Sequence, residues 1–319
     1  MTRYLVRRLL VAIPTLIAIS MVIFTILALA PGDPLAEFAL NPAIPPAVRQ
    51  QLRKDLGLDQ PVPVRYAKWF TSMLQGNFGY SFTSRSPVLG LLEQRLPTTL
   101  EIIGTAYLLS VLIAIPIGVI SAVKQYSGFD ITMTTIAFMG FSLPTFFTGL
   151  LAIMLFSIAL GWLPMIYNTT ISTPGLLGFW DHIKQGIMPV AVLALFQTAA
   201  LTRYVRASML ECIHQDYVRT GRAKGLTAYT VITRHAMRNA LIPVVTIIAL
   251  SIPGVFTGAV VTEQIFRVPG MGSLLIASIN SSDTPVIMAI SFVFAVLVVV
   301  FNLIADVVYG ILDPRIKYS

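Results

Sequence analysis

Six long apolar runs constrain this chain more than any other feature. They lie at Leu9–Ala30, Thr99–Ala122, Ile131–Gly161, Ile187–Arg206, Ala240–Thr262 and Pro285–Ile311. A helical residue rises about 1.5 Å, so roughly 20 residues cross a hydrocarbon core about 30 Å thick. Each run reaches that length, and none carries a charge in its middle third. In lipid, every backbone N–H and C=O must find a partner within the protein, which an α-helix provides by itself. Composition agrees: 56% of the 319 residues are apolar and 11% charged, where soluble domains carry about 25% charged residues. The expected fold is all-α, a polytopic transmembrane helical bundle of about six spans.

The third run is too long for one straight span. Pro144 is expected to break or kink it, because proline removes a helical donor. Pro14, Pro116, Pro189, Pro243 and Pro253 also fall within or at the ends of runs, where neighbouring helices re-satisfy the freed carbonyls. Kinks that aid packing are the simplest reading of these. The first run follows Arg3, Arg7 and Arg8 and ends in Ala28-Leu29-Ala30, as a signal peptide does. It is longer than a signal's apolar core of about 7–15 residues, and Pro31 follows directly. We read it as a retained span.

Short-loop charges orient the bundle. With the N-terminus inside, Arg3, Arg7, Arg8, Lys124, the stretch Arg203–Arg238, Arg315 and Lys317 are cytoplasmic, and the short outside loops hold only Lys184 and Arg267. This divides the chain into a cytoplasmic segment 1–8, a first span 9–30 and an extracytoplasmic segment 31–98. A transmembrane core 99–311 follows, containing a cytoplasmic loop 207–239, and then a cytoplasmic tail 312–319. Segment 31–98 is too polar and proline-rich to span. It is expected to fold on the external face, as a contact for another protein or as cover for a pathway, or else only to cap the bundle. The net charge of +8 is then a matter of topology. Nucleic-acid binding is a poor explanation, because the basic residues are split among membrane-adjacent loops.

Catalytic and metal chemistry finds little support. Cys212 is the one cysteine, and His182, His214 and His235 show no ligand spacing. No phosphate-binding G-x-x-x-x-G-K-S/T, nucleophile elbow or H-E-x-x-H occurs. Mid-membrane carboxylates, usual in proton-coupled carriers, are also lacking: Glu101, Glu263 and Asp306 fall toward span ends. An ion-coupled carrier therefore fits the spans but leaves the large cytoplasmic loop unexplained.

That loop reads as structured. Tyr217–Lys224 has helical character, Gly225 suits a left-handed C-cap, and Thr227 suits the N-cap of a second helix from Ala228. The expectation is two short helices with an elbow at Gly225-Leu226. Gly221 and Ala223 would leave a smooth face for another protein, ringed by Arg219, Arg222 and Lys224. On these residues alone, protein docking and contact with anionic lipid both stand. Gly254 and Gly258 have a small-xxx-small spacing that suits helix packing or a pathway wall.

The loop resembles the coupling loop of ABC importer permeases. It fits their general pattern loosely, with Arg219-Thr220-Gly221 at E-A-A, Gly225 at the glycine and Arg238 at the terminal proline. It fits more closely the variant of the dipeptide/oligopeptide/nickel permeases, Y-x-R-T-A-R-A-K-G-L followed by R-H-A-x-R-N-A-x-I-P. Here these are Tyr217–Leu226, with Gly221 in place of an alanine, and Arg234–Pro243. The rest of the chain carries that family's further marks in order. These are Arg3-Tyr4 with Arg7–Leu10, Pro31-Gly32-Asp33-Pro34, Leu56–Pro61, Gly76-Asn77-Phe78-Gly79, Glu263 with Ile265-Phe266 and Pro269-Gly270-Met271-Gly272, and Asp313-Pro314-Arg315. The layout is similar to that of the B-type subunit.

The resemblance implies a type I ABC importer permease-like fold in a bacterial inner membrane, both termini cytoplasmic, forming half of a pathway for di- or oligopeptides. Nickel, glutathione or oligosaccharide is the alternative cargo. It implies a second, homologous C-type permease, two ABC ATPase subunits and an extracytoplasmic substrate-binding protein as partners within the lipid bilayer. ATP and magnesium would be used by the ATPases, with no cofactor on this chain and no catalytic role. Tyr217, Arg219, Thr220, Gly221, Arg222, Ala223, Lys224, Gly225 and Leu226 would dock an ATPase. The pathway-lining residues stay unassigned.

Overall fold

The computed structural model describes residues 2–29, 50, 59–168 and 175–312. Pro31-Gly32-Asp33-Pro34, Leu56-Gly57-Leu58 and Asp313-Pro314-Arg315 lie outside the described residues, as do Arg315 and Lys317 of the tail. The helices are α1 Thr2–Leu29, α2 Val62–Leu74, α3 Val88–Val123, α4 Gly128–Ser142, α5 Thr145–Ala152, α6 Leu176–Ile213, α7 Asp216–Ala223, α8 Ala228–Thr230, α9 Met237–Phe266, α10 Met271–Asn280 and α11 Thr284–Leu312. Two π-helical stretches continue this pattern: Ile153–Ala159 extends α5, and Val231–Ala236 joins α8 to α9.

Among the described residues, five helices are long and apolar enough to cross a membrane singly, within α1, α3, α6, α8–α9 and α11. A sixth apolar stretch is bent: α4 and the α5 stretch meet at 105°, and only together do they reach the length of a span. The break has the expected cause. Leu143, before the proline, is extended at φ −86° and ψ 129°, the conformation that proline imposes on its predecessor. The Pro144 carbonyl then accepts from Phe147 and Thr148 N–H at 3.0 and 3.1 Å, opening α5.

Several helices outrun their apolar runs. α3 begins at Val88 rather than near Thr99, and α6 occupies Leu176–Ile213 rather than 187–206. Backbone hydrogen bonding carries a helix on through polar residues, whereas apolar composition marks only the stretch suited to lipid. Arg203 accordingly sits within α6 and not in a loop; its guanidinium lies over Phe138 and Phe141, 5.4 and 4.6 Å from the ring centroids.

The chain forms two compact units. One comprises Arg7–Pro97 and Leu274–Val299. Phe24, Tyr66 and Trp69 cluster there, with ring centroids 5.6 Å apart for Phe24–Tyr66 and Phe24–Trp69, and Phe292 meets Trp69 edge-on. Asp283, 2% exposed, accepts from the Ser81 hydroxyl and from Phe82 and Thr83 N–H. The Gly76-Asn77-Phe78-Gly79 motif turns the chain into that knot, with both glycines left-handed at φ +80° and +83°.

The other unit comprises Met1–Val6, Thr98–Ser273 and Val300–Ser319. Here α6 packs on α4 and α9, and α5 on both α6 and α9. Gly118 lets α3 close on α6: a Cβ there would lie 2.6 Å from Val205 Cβ. In α9, Gly258 faces Leu193 of α6 at 3.4 Å, whereas Gly254 meets nothing within 4 Å, so the packing role falls on Gly258. Glu263 is not merely near a span end; it is buried, 1% exposed. Thr99 Oγ1 donates to it at 2.6 Å and Ser273 N–H at 2.9 Å, while Met271 N–H donates to Thr99 Oγ1 at 2.7 Å.

Candidate coupling element

α7 is a two-turn helix with an acidic residue in its first turn, Asp216, and a basic one in its last, Arg222. Each complements the helix dipole at its end. The exit from α7 is a Schellman turn. Gly225 stands at φ +76°, its N–H donates to the Arg222 carbonyl at 3.0 Å, and Leu226 N–H donates to the Gly221 carbonyl at 3.3 Å. Glycine adopts that left-handed geometry without a Cβ penalty. Thr227 then caps α8, its Oγ1 accepting from Thr230 N–H at 3.3 Å. The elbow at Gly225-Leu226 is therefore where the sequence puts it.

Two expectations need correction. The second arm is not a separate short helix. α8 passes through the π stretch into α9, so the elbow stands at the start of a helix long and apolar enough to cross a membrane. A π stretch absorbs an extra residue per turn, and the helix runs on through Pro243. Nor does Gly221 offer a smooth outer face. It is buried, and a Cβ there would touch Val231, Leu226 and His235 at 3.6 to 3.9 Å. Gly221 with Val218 makes the inward face of α7. Tyr217, Arg219, Thr220, Arg222, Ala223, Lys224, Gly225 and Leu226 are exposed. The outward face is thus basic with an apolar edge, not a strip of small residues. The Arg219–Asp216 pair on it, at 3.7 Å and nearly fully exposed, contributes little.

The element is firmly rooted. Val218 and Val231 pack with Ala236, Ala240 and Val244, with Ala122 of α3, and with Val205 and Met209 of α6, all buried. Ser208 Oγ of α6 donates to the Ala240 carbonyl at 2.7 Å. At the edge of this cluster the Tyr217 phenol has its pKa pushed up by burial, against a hydrogen bond with Asn239 and with the help of Cys212. Such packing makes α7 stiff relative to α3, α6 and α9, because a close-packed core transmits displacement rather than absorbing it.

Sequence reasoning missed one group beside this element. Asp130, in the first turn of α4, is 2% exposed. Arg206 of α6 grips it with two hydrogen bonds, Nε to Oδ1 at 2.7 Å and a terminal guanidinium nitrogen to Oδ2 at 2.8 Å. Tyr126 N–H and Thr134 Oγ1 also donate to it, at 2.9 and 3.3 Å. The two residues lie 76 positions apart, and only their place at the ends of two apolar runs hinted at a meeting. No group of three or more His, Cys, Asp and Glu is placed to hold a metal among the described residues.

Residues 114–318 match the family described as "Binding-protein-dependent transport system inner membrane component", and residues 1–103 match its N-terminal counterpart. The chain belongs to this family. It is 44% identical, over the full length of both chains, to the oligopeptide transport system permease protein AppB of Bacillus subtilis. Among solved structures it is similar to the crystal structure of an amino acid ABC transporter with histidines. The TM-score is 0.52 at 15% identity, covering 69% of this chain and 93% of that one, a likeness of fold alone. The chain is thus a multi-pass membrane permease subunit of an ABC importer, a transport component and not a catalytic one. Importers of this kind work with further subunits.

Proposed function

We propose that this chain forms half of the translocation pathway of a bacterial inner-membrane importer of di- or oligopeptides, with both termini cytoplasmic. A homologous second permease supplies the other half, and an extracytoplasmic binding protein delivers the peptide. Two ATPase subunits use ATP and magnesium, and one of them docks on the exposed face of Tyr217–Leu226. Closure of the ATPases is a rigid-body motion, and a stiff element in their grip passes it on, shifting the bundle between inward- and outward-open packings. The observation that carries this reading is the elbow at Gly225: a projecting, basic, exposed turn whose inner face is built into the core of three spans. The cargo assignment follows the name of the Bacillus relative and is an analogy.

Gly225→Trp tests the docking role. The turn is open, with nothing within 4 Å of a Cβ, so the ring meets no neighbour and the left-handed backbone costs about 1–2 kcal/mol. Membrane insertion and complex yield are expected to stay normal, while uptake per ATP hydrolysed falls sharply. Gly225→Asn, which tolerates this backbone, is expected to keep uptake. Normal uptake by the tryptophan variant would overturn the docking role. The cargo is read by ATPase stimulation in the reconstituted importer with a loaded binding protein. Stimulation by a metal or sugar complex, and by none of a broad peptide set, would remove peptide from the reading.

A further inference from the structure

Resting on that coupling role, we propose that the Asp130–Arg206 pair is the joint that carries movement of the coupling element into the bent stretch α4–α5. Arg206 follows Val205 and precedes Met209, two side chains that pack against Val218 of α7 and Val231 of the π stretch. A displacement of α7 therefore reaches the Arg206 backbone directly. The guanidinium passes it to Asp130 through two parallel bonds, and a bidentate arginine–carboxylate pair fixes an angle as well as a distance. Asp130 is itself held in place. Ser127 Oγ caps α4 by accepting Asp130 N–H at 3.3 Å, and the Tyr126 N–H that donates to the carboxylate comes from a left-handed turn at φ +61°.

From α4 the chain bends by 105° into α5. α5 then packs against the far end of α9, where Gly149 would put a Cβ 3.3 Å from Ile265 Cγ2. The coupling element thus reaches α9 by two routes. One enters at its cytoplasmic end through α8 and the π stretch. The other crosses the ion pair, α4 and α5 to reach Ile265. With both intact the two ends of α9 move together; without the pair only the near end is driven, and the helix flexes at Pro243 and Pro253.

Stability is a weak reason for such a pair. Apolar replacement of a buried ion pair is often neutral or stabilising, whereas removing one partner strands a charge. An ionisable pair in or beside a span is better read as part of the mechanism.

The test uses the whole importer reconstituted with its ATPases, partner permease and peptide-loaded binding protein. The double variant Asp130→Leu with Arg206→Leu removes both charges and strands neither. The expected result is normal assembly and basal ATP hydrolysis with transport per ATP lowered about tenfold, and substantial recovery in the charge swap Asp130→Arg with Arg206→Asp. A purely structural pair would lower the yield of assembled complex and leave the transport-to-hydrolysis ratio of the remainder unchanged; that result overturns the proposal. So does a wild-type ratio in the double leucine variant. Gly225→Trp runs alongside. If it is uncoupled while the leucine pair is normal, the joint alone has failed; if it too is normal, the docking role has failed.

Discussion

At Gly225 the backbone is left-handed and the space where a Cβ would stand is empty. At Gly270 and Gly272 the backbone is ordinary and the space is already taken. A Cβ at Gly270 would lie 2.2 to 2.4 Å from the Glu263 carboxyl group, and one at Gly272 would lie 2.6 Å from Val260 Cα. The two regions use the same residue for opposite physical reasons. The elbow needs glycine for a conformation, on a surface free for something else to cover. The Glu263 knot needs it for proximity, because the Ser273 N–H and the Thr99 hydroxyl must close on a buried carboxylate. Change at the elbow is therefore expected to alter coupling and leave folding intact. Change at the knot is expected to alter folding first.

Gly272→Ala is the strongest way to break this contrast. Its Cβ collides with backbone, which cannot turn aside as a side chain tip can. The start of α10 must move off α9, pulling Ser273 N–H from Glu263 and Met271 N–H from Thr99. A hydrogen bond to a charged group contributes about 1.5–3 kcal/mol and one to a neutral hydroxyl about 0.5–1.5 kcal/mol, so a loss of about 3 kcal/mol is expected. It would be read as a fall in thermal midpoint and in monodisperse yield from detergent. Recovery of wild-type yield with a selective loss of coupling would show that the knot belongs to the coupling machinery after all.

Glu263→Gln is smaller, since the shape is kept. One amide edge still accepts, but the NH2 group faces either the Ser273 N–H or the Thr99 hydroxyl, both of which donate to the carboxylate. One donor loses its acceptor, for an expected cost of about 2 kcal/mol. An unchanged thermal midpoint would mean that the carboxylate is not held by its charge.

The same contrast explains what was legible in the sequence. The spans were, because lipid selects for continuous apolar length, and Pro144 announced its own break. The elbow was too, because Gly225 and Thr227 act on neighbours within a few residues of themselves. The Glu263 knot and the Asp130–Arg206 pair were not. Their partners are 164 and 76 residues away, and a carboxylate near the end of an apolar run looks the same whether it meets water or a buried hydroxyl. The motif Pro269-Gly270-Met271-Gly272 was visible as a string; its reason, a carboxylate pressed against both glycines, is a tertiary fact. Gly221 fell between these cases. Its helix was plain, but which face of a two-turn helix turns inward depends on Val231 and His235, beyond the elbow.

Gly221→Ala is the mildest change and the sharpest test of that last point. In a helix interior, alanine is favoured over glycine by about 1 kcal/mol. The added Cβ would sit 3.6 Å from Val231 Cγ2, 3.8 Å from Leu226 Cδ1 and 3.9 Å from His235 Cδ2, all ordinary contact distances. Alanine is also the residue at this place in the permease pattern that the loop resembles. The variant is expected to slow hydrogen exchange of the α7 amides by several-fold, in line with a gain of about 1 kcal/mol, and to leave transport per ATP unchanged, because the methyl is hidden from any docked partner. Loss of coupling with α7 amides exchanging at the original rate would put Gly221 on the outward face and reverse the orientation of α7 described here.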